Sequence, residues 1–118
     1  MSHVNVFEEK SDPGDYKDWT VNQTTRLQTD ETIVLGTVTF VIEQDYLDLG
    51  FSIDTTSKVV ALDETNKKIV FWTEIDTGER QRAEFEDEGV IVPINISYET
   101  SPQGRRYERT VGIHFKQL

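Results

Sequence analysis

The chain has 118 residues and no cysteine, which is the length of one domain and leaves no means of building a disulfide framework or a thiolate metal site. Its formal charge of −10 argues against a nucleic-acid partner, since neutralising phosphates needs a basic footprint. No stretch approaches the ~20 apolar residues needed to span a bilayer, and Met1–Lys10 lacks the apolar run of a secretory signal, so synthesis in a cytoplasm and no membrane partner are expected.

Taken in chain order, residues 1–18 are polar, and Pro13-Gly14 marks a turn; an extended amino-terminal arm is expected there, with a single domain over 19–118. Trp19–Leu27 reads as a strand of imperfect alternation. Thr32–Glu43 reads as one long strand, apolar on both faces, with Gly36 marking a bulge or bend. Leu47–Ile53 is a short strand. Lys58–Leu62 and Lys68–Ile75 form a hairpin around Asp63–Lys67. The second of these strands turns at Asp76–Glu79 and returns as Arg80–Phe85. Trp72, in the most apolar strand, is expected in the core.

The last two strands carry the clearest signal. In Val90–Tyr98 the side chains Val90, Val92, Ile94, Ile96 and Tyr98 alternate with Ile91, Pro93, Asn95 and Ser97; in Tyr107–Phe115 the side chains Tyr107, Val111, Ile113 and Phe115 share a face. A period of two sends alternate side chains to opposite faces of a sheet. Seven or eight short strands and no amphipathic helical stripe predict an all-β fold. An immunoglobulin-like β-sandwich is the first choice, and a jelly roll or small barrel the second.

No constellation for chemistry stands out. His3 and His114 lie in no H-x-H or HExxH pattern, and neither a phosphate loop nor a nucleophile elbow is present. Asp45–Asp48 and Glu86–Glu88 are oxygen-rich but lack the ligand spacing of a calcium loop, so no metal or cofactor is expected. The charge itself is uneven. Residues 1–102 hold 21 acidic and 8 basic side chains, whereas 103–118 hold Arg105, Arg106, Arg109 and Lys116 against Glu108 alone. Either the acidic surface serves solubility, or one copy's acidic face meets the next copy's basic end.

Two stretches resemble a known family. Asp12-Pro13, Tyr16, Asp18-Trp19, Leu27, Asp30 and Thr32-Ile33 at one end, with Gly104-Arg105, Glu108-Arg109-Thr110-Val111 and Ile113 at the other, resemble small immunoglobulin-like virion proteins of tailed bacteriophages, the fibre–tail adaptor and head-associated proteins. The middle, from Phe40 to Glu88, departs from that pattern. The resemblance implies a non-enzymatic structural protein of the virion, oligomeric in assembly, whose partners are other head, neck, tail or fibre subunits. Under that expectation Tyr16 and Trp19 anchor the contact, and Arg105, Arg106 and Arg109 pair with a neighbour's carboxylates. Alternatively, Trp19 and Tyr16 would stack on sugar in a carbohydrate-binding sandwich, with or without calcium.

Overall fold

A computed structural model describes residues 5–118. Among them, nine strand segments build two sheets: β1 (Asn5–Ser11), β2 (Lys17–Asn22), β3 (Thr32–Ile33), β4 (Thr39–Val41), β5 (Phe51–Ile53), β6 (Ala61–Leu62), β7 (Lys68–Ile75), β8 (Val90–Ser101) and β9 (Arg106–Phe115). One sheet runs β1-β9-β8-β3, with β4 also on β8. The other runs β2-β7-β5, with β6 also on β7. The all-β expectation holds, and the inner faces of the two sheets enclose one core.

Alternation places that core. Val92, Ile94, Ile96 and Tyr98 of β8 and Val111, Ile113 and Phe115 of β9 are all buried. The two strands pair in one unbroken antiparallel register from Val90↔Phe115 to Glu99↔Arg106. From the facing sheet, Ile69, Phe71 and Ile75 of β7 meet them with no exposed surface. Aromatic pairs lock the sheets together: Phe40 with Phe71 at 5.2 Å between ring centroids, and Phe51 with Phe115 at 5.6 Å. Such contacts add roughly 0.5–1.5 kcal/mol beyond the area they bury.

Four expectations are corrected. First, residues 5–11 of the expected arm form β1, which pairs in parallel with β9. Its sequence looks unstructured because the strand sits at a sheet edge and exposes most side chains; Phe7 leans inward, 4.9 Å from the Trp19 ring, and Ser11 is buried at the strand's end. The expected boundary at residue 18 also falls inside β2. Residues 1–4 of the arm, with His3, lie outside the described residues.

Second, the long strand over Thr32–Glu43 is two short ones, β3 and β4, separated by a 3₁₀ turn at Leu35–Thr37. Both pair with β8. Thr37 bridges the interruption: its hydroxyl donates to Val34 O at 2.6 Å and accepts from Glu99 N at 2.8 Å. Third, the predicted strand at Leu47–Ile53 begins instead as one helical turn, α1 (Gln44–Leu47), and reaches β5 through Gly50 at φ +91°. Fourth, Arg80–Phe85 does not return as a strand. The two edges of β7 are taken by β2 and by β5 with β6, and 3₁₀ turns at Thr77–Glu79 and Ala83–Phe85 fill the connection. Phe85 drops from it into the core beside Phe115.

Strand direction sorts the loops to two ends. Connections 23–31, 63–67 and 102–105 lie at the end where β8 finishes; connections 12–16, 42–50 and 76–89 lie at the other.

Candidate interaction surfaces

Charge follows that sorting. The loops at the end where β8 begins carry eleven acidic side chains against Arg80 and Arg82. The loops at the end where β8 finishes carry four acids against Arg26, Lys67 and Arg105, with Arg106 next in line. The molecule is therefore electrically polar along its strands, with the acid concentrated at one end.

The hairpin end is built on a buried polar cluster. Glu31 has no exposed surface; its carboxylate accepts the Thr100 hydroxyl at 2.6 Å and the Gln28 backbone N–H at 3.1 Å. The Thr100 hydroxyl above all holds this carboxyl below the ordinary glutamate range, and the Arg105 charge lowers it further. Beside it the buried Tyr98 hydroxyl donates to Gln23 Oε1 at 2.6 Å. Burial pushes the Tyr98 phenol up to about 12. Arg26 lies over the Tyr107 ring, 4.9 Å from its centroid, and donates to Glu108 O at 2.9 Å. Thus residues 23–31 and 98–108, some eighty residues apart in sequence, meet at this end.

The three arginines singled out in the sequence have different surroundings. Arg105 is exposed at the hairpin turn. With the Gln28 amide oriented to satisfy its neighbours, the Gln28 oxygen accepts from both Arg105 Nη atoms at 3.0 and 3.2 Å. Arg106 points to the outer face, 71% exposed at the side chain, with Glu108 Oε1 4.0 Å away. Arg109 points inward from β9. It lines a pocket of about 200 Å³ with Asn5, Phe7 and Asn22, and its buried Nε meets no hydrogen-bond partner among the described residues. Arg105 and Arg106 are available to another molecule's surface; Arg109 is half-buried in the sandwich wall.

The two tryptophans exchange their expected places. Trp19 is 4% exposed, and its indole N–H donates to Thr73 Oγ1 at 2.9 Å, so it is a core residue and not a surface anchor or a sugar platform. Trp72 lies on the outer face of β7, opposite Asp18 of β2. There it packs on Tyr16 at 5.0 Å between centroids, and the Lys58 ammonium sits 3.8 Å from the Trp72 ring centroid. Parity along β7 carries this signal: Ile69, Phe71, Thr73 and Ile75 make the apolar face, and Lys68, Val70, Trp72 and Glu74 the mixed one.

Asp54, missed in the sequence, organises this patch. Its carboxylate accepts the Tyr16 hydroxyl and the backbone N–H groups of Thr56, Ser57 and Lys58, which fixes the loop that brings Lys58 over the rings. These bonds hold Asp54 well below the usual carboxylate range, and the same Asp54 bond raises Tyr16 to about 12. The Asp-Thr-Thr-Ser run at 54–57 is the one sequence cue, since a short acidic side chain followed by polar residues favours such a turn.

On the side of the sandwich, between β4 and the 53–60 segment, an apolar groove of about 530 Å³ is lined by Val38, Phe40, Ile42, Ile53, Val59 and Val60. Among the described residues no group of three or more His, Asp or Glu side chains converges on a common point, and Asp45–Asp48 and Glu86–Glu88 stay spread in solvent. No helix among them is long and apolar enough to cross a membrane. Comparison with family models, with curated proteins and with solved structures returned no match.

Proposed function

We propose that this chain is a non-enzymatic structural protein of a bacteriophage virion, an immunoglobulin-like sandwich that docks to neighbouring head, neck or tail subunits. The strand order supports the architecture. Taking β2, β7 and β5/β6 as B, E and D, and β3/β4, β8 and β9 as C, F and G, supports an immunoglobulin-like division of the two sheets, from which β1 departs by joining the last strand. The observation that carries the function is the end-to-end polarity of charge. A protein that sits between unlike neighbours needs two unlike ends, and complementary fields orient such contacts. The resemblance of 12–33 and 104–113 to small virion proteins supports the virion setting.

Docking on this reading uses the folded ends and outer faces, with Arg105 and Arg106 at one end and Tyr16 at the other. The test is the protein content of gradient-purified phage particles from cells that make this chain. The chain is expected at a fixed ratio to the major virion proteins, and an Arg105→Glu/Arg106→Glu variant that melts normally is expected to be depleted from the particles. A chain that stays wholly in the soluble fraction while complete particles form would overturn the proposal.

A further inference from the structure

We infer that the Tyr16–Trp72 pair, rimmed by Asp18, Asp54 and Glu74, receives the Arg105 and Arg106 guanidinium groups of a second copy of this chain. The inference deepens the assembly reading and rests on it. A cation already occupies the rings: Lys58 Nζ lies 3.8 Å from the Trp72 centroid and 5.5 Å from that of Tyr16. Aromatic faces attract cations in this geometry. Among the described residues Lys58 has no carboxylate within ion-pair distance, so the ammonium is held by the rings alone and can be displaced.

Every charged group around the patch is accounted for. Asp18 faces Trp72 across the β2–β7 ladder, and Glu74 follows Trp72 on the same face, with Arg80 Nη2 at 4.0 Å. Asp54 bonds the Tyr16 hydroxyl. Lys17 is turned away to Glu9 at 2.6 Å. Three carboxylates around two rings suit a guanidinium better than an ammonium, because its planar fork stacks on aromatic faces and pairs with carboxylates at once.

A single copy cannot satisfy its own site. β7 runs from Lys68 at the hairpin end toward the acidic end, which puts Trp72 about 14 Å along the strand from Lys68, at ~3.4 Å per residue. The exposed arginines sit at the β8–β9 turn, in the other sheet and at the opposite end from Tyr16. The contact is therefore between unlike surfaces, head to tail, and such a contact propagates to a ring or a row.

Sedimentation velocity of the full chain, from micromolar to millimolar, tests this. At low salt the average mass is expected to rise with concentration, and at high salt to fall back to the monomer. Arg105→Ala/Arg106→Ala and Asp18→Lys/Glu74→Lys are each expected to stay monomeric. Their equimolar mixture is expected to form a dimer and nothing larger, since only one intact pair of surfaces remains. Lys58→Ala, which vacates the rings, is expected to associate more tightly. Should the charge-reversed chain melt early, Tyr16→Leu takes its place. A wild-type chain that is monomeric throughout at low salt overturns the inference, as does association that the mixed variants fail to restore. Particles containing a chain that is monomeric in solution would sink this inference alone; head-to-tail association by a chain absent from particles would sink the virion function alone.

Discussion

The Trp19 indole N–H donates to Thr73 Oγ1 at 2.9 Å inside the sandwich, tying β2 to β7 through side chains as well as backbone. Trp72, adjacent to Thr73, points the other way. Truncating the two tryptophans should therefore have unequal effects. Trp19→Ala removes a buried ring and orphans a buried hydroxyl, at a cost of about 3–5 kcal/mol. Trp72→Ala removes a half-buried ring from a solvated face and should cost about 1 kcal/mol. Urea melts of both variants measure the difference; equal losses would mean that the strand faces are assigned wrongly.

The polar cluster at the hairpin end, together with the Tyr16–Asp54 bond, makes stability depend on pH from both sides. Glu31 is depressed in the fold, so its contribution is present above the unfolded glutamate value, ~4.3, and is lost as pH falls through the lower folded value. Tyr98 and Tyr16 are raised to about 12, so the stability they carry is present below ~10 and is lost as pH rises toward about 12. Melting temperature against pH should fall at both extremes. Glu31→Gln should flatten the acid limb and Tyr98→Phe the alkaline one. Absorbance titration of the phenols should show two late-ionising tyrosines, reduced to one in Tyr98→Phe.

Gly89 enters β8 at φ +75°, and a Cβ there would collide with the Phe115 carbonyl. Both the backbone conformation and the contact oppose any other residue. Gly89→Ala should cost about 1–3 kcal/mol, from a strained φ together with a displaced strand end. Gly36, whose Cβ would meet open space, serves as the control and should tolerate alanine with little change in thermal melts.

Legibility followed side-chain parity. β8 and β9 are readable because each carries a run of alternating apolar residues, Val90 to Tyr98 in one and Val111 to Phe115 in the other, and their paired register keeps the two runs together. β1 was not, since an edge strand that exposes most of its side chains leaves no alternation to see; its partner is the far end of the chain. The break at Leu35–Thr37 was hidden because Thr37 supplies the missing ladder bonds through its hydroxyl, which no propensity records. The overall apolarity of its strand points Trp72 to the core, whereas its parity with Lys68 and Glu74 puts it on the outer face. Arg105 and Arg106 were recognisable as an exposed basic turn, but their counterpart was not, because Tyr16, Asp54, Lys58 and Trp72 converge only through tertiary folding.

The central claim is that the chain works by docking its two unlike ends. Hydrogen exchange on the chain free in solution and within purified particles tests it most directly. The account predicts slower exchange in the particle at residues 12–16 and 54–58 and at the 102–106 turn, with β8 and β9 protected equally in both states. Unchanged exchange at both ends, or a chain missing from the particles, would contradict it.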